Sequence, residues 1–207
     1  MTYKKGSRGE IVRQIQKALA GAGLRVMVDG NFGPITEEAV KEFQKKKGIT
    51  PDGIVGPTTL ALLIPARMKK SKRIINEIII HCTATPEGRE CSVTEIRRWH
   101  IQRGFSDIGY HYVIHLDGRV EEGRNIDIAG AHCTGHNANS IGVVYVGGCA
   151  KDGNTPKDTR TEAQKSALAN LLLDLRKLYP RATIHGHRDF ANKACPSFDA
   201  THEYRRF

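Results

Sequence analysis

An eight-residue motif that occurs twice in the first third of the chain restricts what this region can fold into. Residues 29–36 read Asp-Gly-Asn-Phe-Gly-Pro-Ile-Thr and residues 52–59 read Asp-Gly-Ile-Val-Gly-Pro-Thr-Thr, so five of eight positions are identical. Gly and Pro predict a tight turn in each copy, and the closing Thr is suited to cap a helix. Residues 7–10 have the spacing of a capping box, and an apolar helical face follows over residues 11–19. The front third is therefore predicted to be a small helical module.

The remainder of the chain predicts a different architecture. Residues 74–80 are β-branched and almost unbroken, which is typical of an interior strand. Capping boxes at 92–95 and 161–164 predict a short and a long helix. Further strands are predicted at residues 110–116, 119–122, 141–146 and 182–185. The order β-α-β-β-β-α-β indicates an α/β fold with a mixed central β-sheet flanked by helices.

A basic stretch separates the two regions. Residues 65–73 show little periodicity and carry four positive charges in the last five positions, which suits an exposed connection. We therefore expect domains at 1–66 and 74–207, joined by a basic linker at 67–73. The net charge of +10 is concentrated before residue 74. A basic front end can attract a polyanion such as nucleic acid or a bacterial wall, or it can be a solvated surface that keeps the protein in solution.

The sequence contains no run of apolar residues near the roughly 20 that a membrane-spanning helix requires. The N-terminus is basic but lacks the apolar segment of a secretory signal. We expect synthesis in the cytoplasm without a signal peptide. The five Cys residues are odd in number and lack CxxC spacing, which argues against a disulfide framework.

All nine His and all five Cys lie after residue 80, so chemistry that needs imidazole or thiolate is confined to the second region. His81 ends the first predicted strand, His185 and His187 close the last one, and Cys195 follows. Two imidazoles and one thiolate form a three-ligand zinc set with an open fourth position, as in catalytic zinc sites. By spacing alone this pattern is weak evidence for a zinc site, because a His at a strand end is more often a hydrogen-bonded structural residue.

Residues 5–64 resemble the peptidoglycan-binding type 1 domain. The resemblance rests on the two D-G-x-x-G-P-x-T motifs around A-V-K-x-F-Q-x-x-x-G-I. It implies an all-α, three-helix domain that attaches to the bacterial cell wall. The Asp, Gly and Pro residues of the motifs also have a purely structural interpretation as turn formers, so no binding residue is assigned.

Residues 74–202 resemble the type 2 N-acetylmuramoyl-L-alanine amidases, the family of amidase-type phage lysozymes and peptidoglycan recognition proteins. The matching stretches are I-I-I-H-C-T-A-T, F-S-D-I-G-Y-H-Y-V-I, A-H-C-T-G-H-N-A-N-S-I-G-V and H-G-H-R-D-F-A-N-K-A-C-P-S-F. The resemblance implies that zinc is bound by His81, His187 and Cys195, in preference to His185. It also implies a catalytic pair, Tyr110 and Lys193, and a place for His132 in the substrate groove. Asp189 is expected either to support His187 or to pair with Arg188.

The function implied is zinc-dependent hydrolysis of the amide between N-acetylmuramic acid and L-alanine in peptidoglycan. The setting expected is that of a phage endolysin, a monomer that acts on the wall after release. A resident wall-remodelling amidase, an antibacterial effector or a non-catalytic peptidoglycan receptor are the alternatives. Nucleic acid is not an expected partner, because the basic region lacks a recognisable nucleic-acid-binding motif.

Overall fold

The computed structural model describes residues 2–64 and 68–207. The chain divides into two compact units, Met1–Arg67 and Met68–Phe207. No helix within the described ranges is both long and apolar enough to cross a membrane.

The first unit contains three helices, α1 (Glu10–Gly21), α2 (Pro34–Lys46) and α3 (Pro57–Leu63). Each copy of the repeated motif leads into a helix, as the sequence predicts, but the caps differ from the prediction. Both α2 and α3 begin at the Pro of the motif, directly after Gly33 and Gly56. Proline is favoured at a first helical position because its fixed φ suits the helix and its missing N–H would have no partner there. Thr36 is therefore inside α2, and the capping box at residues 7–10 does not form, since α1 has Gly9 as its N-cap.

Each copy of the repeated motif is hydrogen-bonded to its own buried glutamine, Gln16 or Gln44. The Gln16 side-chain amide donates to Asp29 Oδ1, the Asn31 carbonyl and Thr36 Oγ1, and its oxygen accepts from the Gly30 amide. Gln44 makes the same four contacts with the second copy, to Asp52, Ile54, Thr59 and Gly53. Each turn is thus folded around one glutamine that precedes it in the chain. The Thr predicted to cap a helix is instead a buried acceptor for this amide.

The second unit is built on a five-stranded sheet of order β4-β3-β5-β1-β7. Its strands are β1 (Glu77–Cys82), β3 (Tyr112–Ile114), β4 (Val120–Glu122), β5 (Ser140–Tyr145) and β7 (Thr183–Gly186). Only β4 is antiparallel to its neighbour. A small second sheet pairs β2 (Thr85–Pro86) with β6 (Gly148–Cys149). The predicted mixed sheet is confirmed, although β1 begins and ends later than expected, so that His81 lies inside the strand and Cys82 ends it.

Helices pack on both faces of the five-stranded sheet. Helix α5 (Glu162–Leu178) places Leu168 and Leu172 against a core that includes Ile78 and Ile80 of β1. Helix α4 (Val93–Gln102) contributes to a second core that contains Val144 of β5. Successive residues of a strand point to opposite faces, so His81 projects from the face opposite to Ile80. A short helix, α6 (Ala200–Glu203), follows near the C-terminus.

The predicted linker at 67–73 begins outside the described residues. In its later part Lys69, Lys70 and Lys72 are exposed, but Ser71 is buried and Arg73 is half-buried. The Ser71 amide donates to the Tyr179 hydroxyl, and Ser71 Oγ donates to the Ile126 carbonyl. The Arg73 guanidinium donates to the carbonyls of Asn137, Ala138 and Ser140. A guanidinium has five N–H groups, so one Arg can hold several carbonyls of a loop. This segment belongs to the second unit.

We predict that Gln16→Ala lowers the free energy of unfolding of the first unit by about 2–4 kcal/mol, because it leaves the buried Gly30 amide and Thr36 hydroxyl without their partner. Hydrogen exchange of core amides in α1 and α2 would measure this for the unit separately. Gln14→Ala is the matched control, since Gln14 is exposed on the same helix, and should change the value by less than about 0.5 kcal/mol. Equal protection in the two variants would contradict the role assigned to Gln16.

Candidate metal centre and active site

Two adjacent parallel strands and one loop bring three potential ligands together. His81 lies near the end of β1, and His187 begins a 3-10 turn directly after β7. Because β1 and β7 are paired in parallel, with Ile80 opposite Gly186, the two histidines reach the same edge of the sheet. The Arg188 amide donates to the Cys195 carbonyl at 2.7 Å, which holds the Cys195 loop against this turn.

The donor atoms are close enough for one metal ion. One ligand atom each from His81, His187 and Cys195 lies within 4.8 Å of the others. His81 Nδ1 is 3.7 Å from Cys195 Sγ. In a tetrahedral zinc site a nitrogen and a sulfur ligand are about 3.5 Å apart, since the bonds are about 2.1 and 2.3 Å long. Two imidazoles and a thiol at this separation fit zinc in donor chemistry and in spacing.

Electrostatics favour the metal-binding form of both histidines. Burial lowers the pKa of His81 well below its usual value, and the neighbouring His132, His187 and Lys193 lower it further. Burial and Lys193 also lower the pKa of His187. Both rings are therefore neutral at pH 7, which is the state that binds a metal.

The third donor is a thiol in a mixed environment. The adjacent Cys82 thiol and burial raise the pKa of Cys195 above its usual range, and the Cys82 amide, which donates to Cys195 Sγ at 3.4 Å, only partly opposes this rise. A divalent cation in contact with the sulfur would favour the thiolate over the thiol.

Tyr110, one of the predicted catalytic pair, lies beside the candidate ligand His81. Its ring centroid is 5.1 Å from that of His81 and 5.2 Å from that of His100. Burial raises the pKa of the Tyr110 phenol above its usual range. The hydroxyl is therefore protonated in this environment and available as a hydrogen-bond donor.

Lys193, the other member of the pair, is exposed and lies two residues before Cys195. Its positive charge lowers the pKa of His81 and His187 and opposes the rise in the pKa of Cys195. The ammonium group thus acts on all three candidate ligands.

His132 is buried, and the contacts that the structure gives it are internal. Its Nδ1 lies 3.1 Å from His81 Nε2, and its Nε2 lies 3.3 Å from Ser140 Oγ. Its predicted place in a substrate groove stays a prediction. Sequence reasoning did not identify the contact with His81, because 51 residues separate the two. One available signal was Gly142 inside the strand predicted at 141–146, since a strand glycine often marks a close approach of another group.

His185, the alternative ligand to His187, and Asp189, the residue expected to support His187, contact other groups. His185 lies on β7, with Nε2 2.8 Å from Thr183 Oγ1 and Nδ1 3.7 Å from Asp189 Oδ2. Asp189 accepts hydrogen bonds from the Gly186 amide and the Thr201 hydroxyl. Within residues 2–64 and 68–207, Asp189 forms neither the expected hydrogen bond to His187 nor the expected ion pair with Arg188.

The sequence matches two protein families, one in each unit. Residues 8–63 match the description "Putative peptidoglycan binding domain", and residues 71–198 match "N-acetylmuramoyl-L-alanine amidase". The chain is 47% identical over 124 residues to the endolysin of Enterobacteria phage K11, a match that covers 60% of this chain and 82% of the relative. It is 42% identical over 130 residues to the endolysin of Escherichia phage T7, covering 63% and 85%.

A solved structure supports the fold. The N-acetylmuramoyl-L-alanine amidase LysC from Clostridium intestinale URNW superposes with a TM-score of 0.54 at 26% sequence identity. The superposition covers 67% of this chain and 90% of LysC.

Proposed function

The chain belongs to the N-acetylmuramoyl-L-alanine amidase family, and we propose that it hydrolyses its substrate with a zinc ion held by His81, His187 and Cys195. Family membership confirms the enzyme class expected from the sequence: the chain is an amidase that acts on peptidoglycan. The single observation that supports zinc is the convergence of two imidazoles and one sulfur within 4.8 Å. Three protein ligands leave one tetrahedral position open, as in other catalytic zinc sites.

An amide is a weak electrophile with a poor leaving group, so the site must activate both reactants. A bound zinc ion would supply Lewis-acid polarisation of the scissile carbonyl and would lower the pKa of the attacking water. The Tyr110 hydroxyl, beside His81, orients that water and the carbonyl by hydrogen bonding. The Lys193 ammonium stabilises the negative charge that develops on the carbonyl oxygen.

We further propose that the three-helix unit tethers the enzyme to insoluble wall. Its match to a peptidoglycan-binding family supports this role. A tether raises the effective concentration of substrate at the active site without taking part in the reaction. The phage endolysins among the relatives support the same setting for this chain, namely wall degradation after release from the cell in which it is made.

The metal proposal predicts different results for two neighbouring histidines. His187→Ala should lose stoichiometric zinc and at least about 100-fold in kcat, because two protein ligands hold zinc poorly. His185→Ala should keep both the zinc and the rate, since His185 is hydrogen-bonded to Thr183. Metal analysis of the purified proteins, together with assays before and after chelation, would measure this. Full activity in metal-free wild-type protein would refute the proposal.

The catalytic pair gives a second prediction. Tyr110→Phe and Lys193→Ala should each lower kcat by about 10²–10³-fold, because each removes one group that acts on the transition state. Zinc content should be unchanged in both. The control is Lys151→Ala, an exposed lysine elsewhere in the second unit. Wild-type rates on a soluble muropeptide for Tyr110→Phe or Lys193→Ala would remove that residue from the mechanism.

The tether gives a third prediction. Deleting residues 1–66 should weaken sedimentation of the enzyme with purified sacculi, because it removes the unit that matches a wall-binding family. The rate on a small soluble muropeptide should stay within about two-fold of wild type, since the tether acts only through effective concentration. A parallel loss of soluble activity would contradict this division of roles.

A further inference from the structure

The ring of His132 occupies a slot that the surrounding backbone leaves open for it. A Cβ atom at Gly142 in β5 would lie 2.4 Å from His132 Cδ2, and a Cβ at Gly130 would lie at the same distance. Any other residue at either position would displace the imidazole. Glycine inside a strand is destabilising relative to residues with side chains, so its presence in β5 is explained by the ring that it admits.

The loop that carries His132 is also fixed. The amides of His132 and Cys133 both donate to Asn137 Oδ1, at 2.8 and 3.0 Å. The ring is 9% exposed. Position and orientation are therefore set by the backbone on both sides and by the loop itself.

Both ring nitrogens of His132 have partners in a linear chain of side chains. His81 Nε2 contacts His132 Nδ1 at 3.1 Å, and His132 Nε2 contacts Ser140 Oγ at 3.3 Å. The other nitrogen of His81, Nδ1, is the one that lies 3.7 Å from Cys195 Sγ. The contact with His132 thus lies on the opposite edge of the His81 ring from the candidate metal position.

The hydrogen-bond network selects one proton arrangement. A nitrogen that binds a metal carries no proton, so a neutral His81 that binds through Nδ1 carries its proton on Nε2. That proton is donated to His132 Nδ1, which must then be the unprotonated acceptor. The proton of His132 lies on Nε2 and is donated to Ser140 Oγ.

We propose that His132 is a positioning residue for the metal centre: it accepts a hydrogen bond from His81 Nε2 and so fixes the tautomer and orientation in which His81 Nδ1 faces the metal. Ser140 completes the chain by accepting from His132. The inference rests on the proposed zinc function. It gives His132 a role different from a substrate contact, because both ring nitrogens are used inside the protein.

The test is the zinc affinity of full-length variants, measured by competition with a chromogenic chelator. His132→Ala should weaken zinc binding about 10–100-fold, which is the usual effect of losing a hydrogen-bond partner of a metal-binding His. His132→Asn, whose Oδ1 can take the place of the Nδ1 acceptor, should recover most of that loss. Ser140→Ala tests the hydrogen bond between His132 and Ser140. Because this bond is one step further from His81, zinc affinity should fall by no more than about ten-fold.

His115→Ala is the matched control, because His115 is equally buried but contacts Glu90 and Glu121 instead of the metal cluster. It should lower thermal stability and leave zinc affinity within two-fold of wild type. If His132→Ala does not fold, His132→Asn and Ser140→Ala provide the measurement. Nitrogen-15 NMR of the imidazoles gives an independent readout, and a His81 proton on Nε2 in the zinc-loaded wild type is expected.

Two results would overturn the inference. One is wild-type zinc affinity in His132→Ala with a raised KM for a soluble muropeptide, which would make His132 a substrate contact. The other is a His81 proton on Nδ1 in the zinc-loaded protein. Failure of the wild type itself to bind zinc would be distinct, because it would remove the proposed function and this inference together.

Discussion

The placement of β1 between β5 and β7 is the constraint on which the site depends. Parallel pairing with β7 on one side brings His187 to the edge that His81 occupies. Parallel pairing on the other side places β5 beside the strand of His81, and β5 carries Ser140 and Gly142, which lie against His132. Each of the two strands that pair with β1 thus contributes or positions residues of the site. A shift of β1 by one residue would move His81 to the opposite face of the sheet, into the core packed against α5.

Both units use a buried polar side chain to organise a loop. Gln16 and Gln44 each satisfy the backbone and side-chain groups of one Asp-Gly turn. In the second unit His132 links the candidate ligand His81 to Ser140. A buried polar group that leaves no partner unsatisfied favours a single arrangement, because any displacement breaks several hydrogen bonds at once. The precise placement of functional groups therefore follows from a few fully bonded polar residues inside apolar surroundings.

The sequence predicted those parts of the structure that depend on local pattern. The β-branched run before His81, the capping box at Thr161 with Gln164, and the two Asp-Gly turns all appear in the structure. Contacts between distant residues were not accessible in the same way. Arg73 lies in a stretch that reads as an exposed linker, and only the fold reveals the carbonyls of the 137–140 segment that its guanidinium binds. Ser7 and Thr36 do not cap helices, because α1 and α2 begin directly after Gly9 and Gly33, and in α2 the first helical position is taken by Pro34.

The ligand set also determines the charge at the open side of the proposed centre. Two neutral imidazoles and one thiolate would leave a zinc site with a net charge of about +1, and the Lys193 ammonium adds to it. A carbonyl oxygen that gains negative charge during attack is stabilised by this field, whereas a neutral ground-state amide benefits less. Burial is the main reason that His81 and His187 are neutral, and the Lys193 charge, which lowers the pKa of both rings further, would also favour the transition state. Lys193, exposed and two residues from Cys195, links the two effects, since in the proposed mechanism its charge acts both on the candidate ligands and on the carbonyl oxygen.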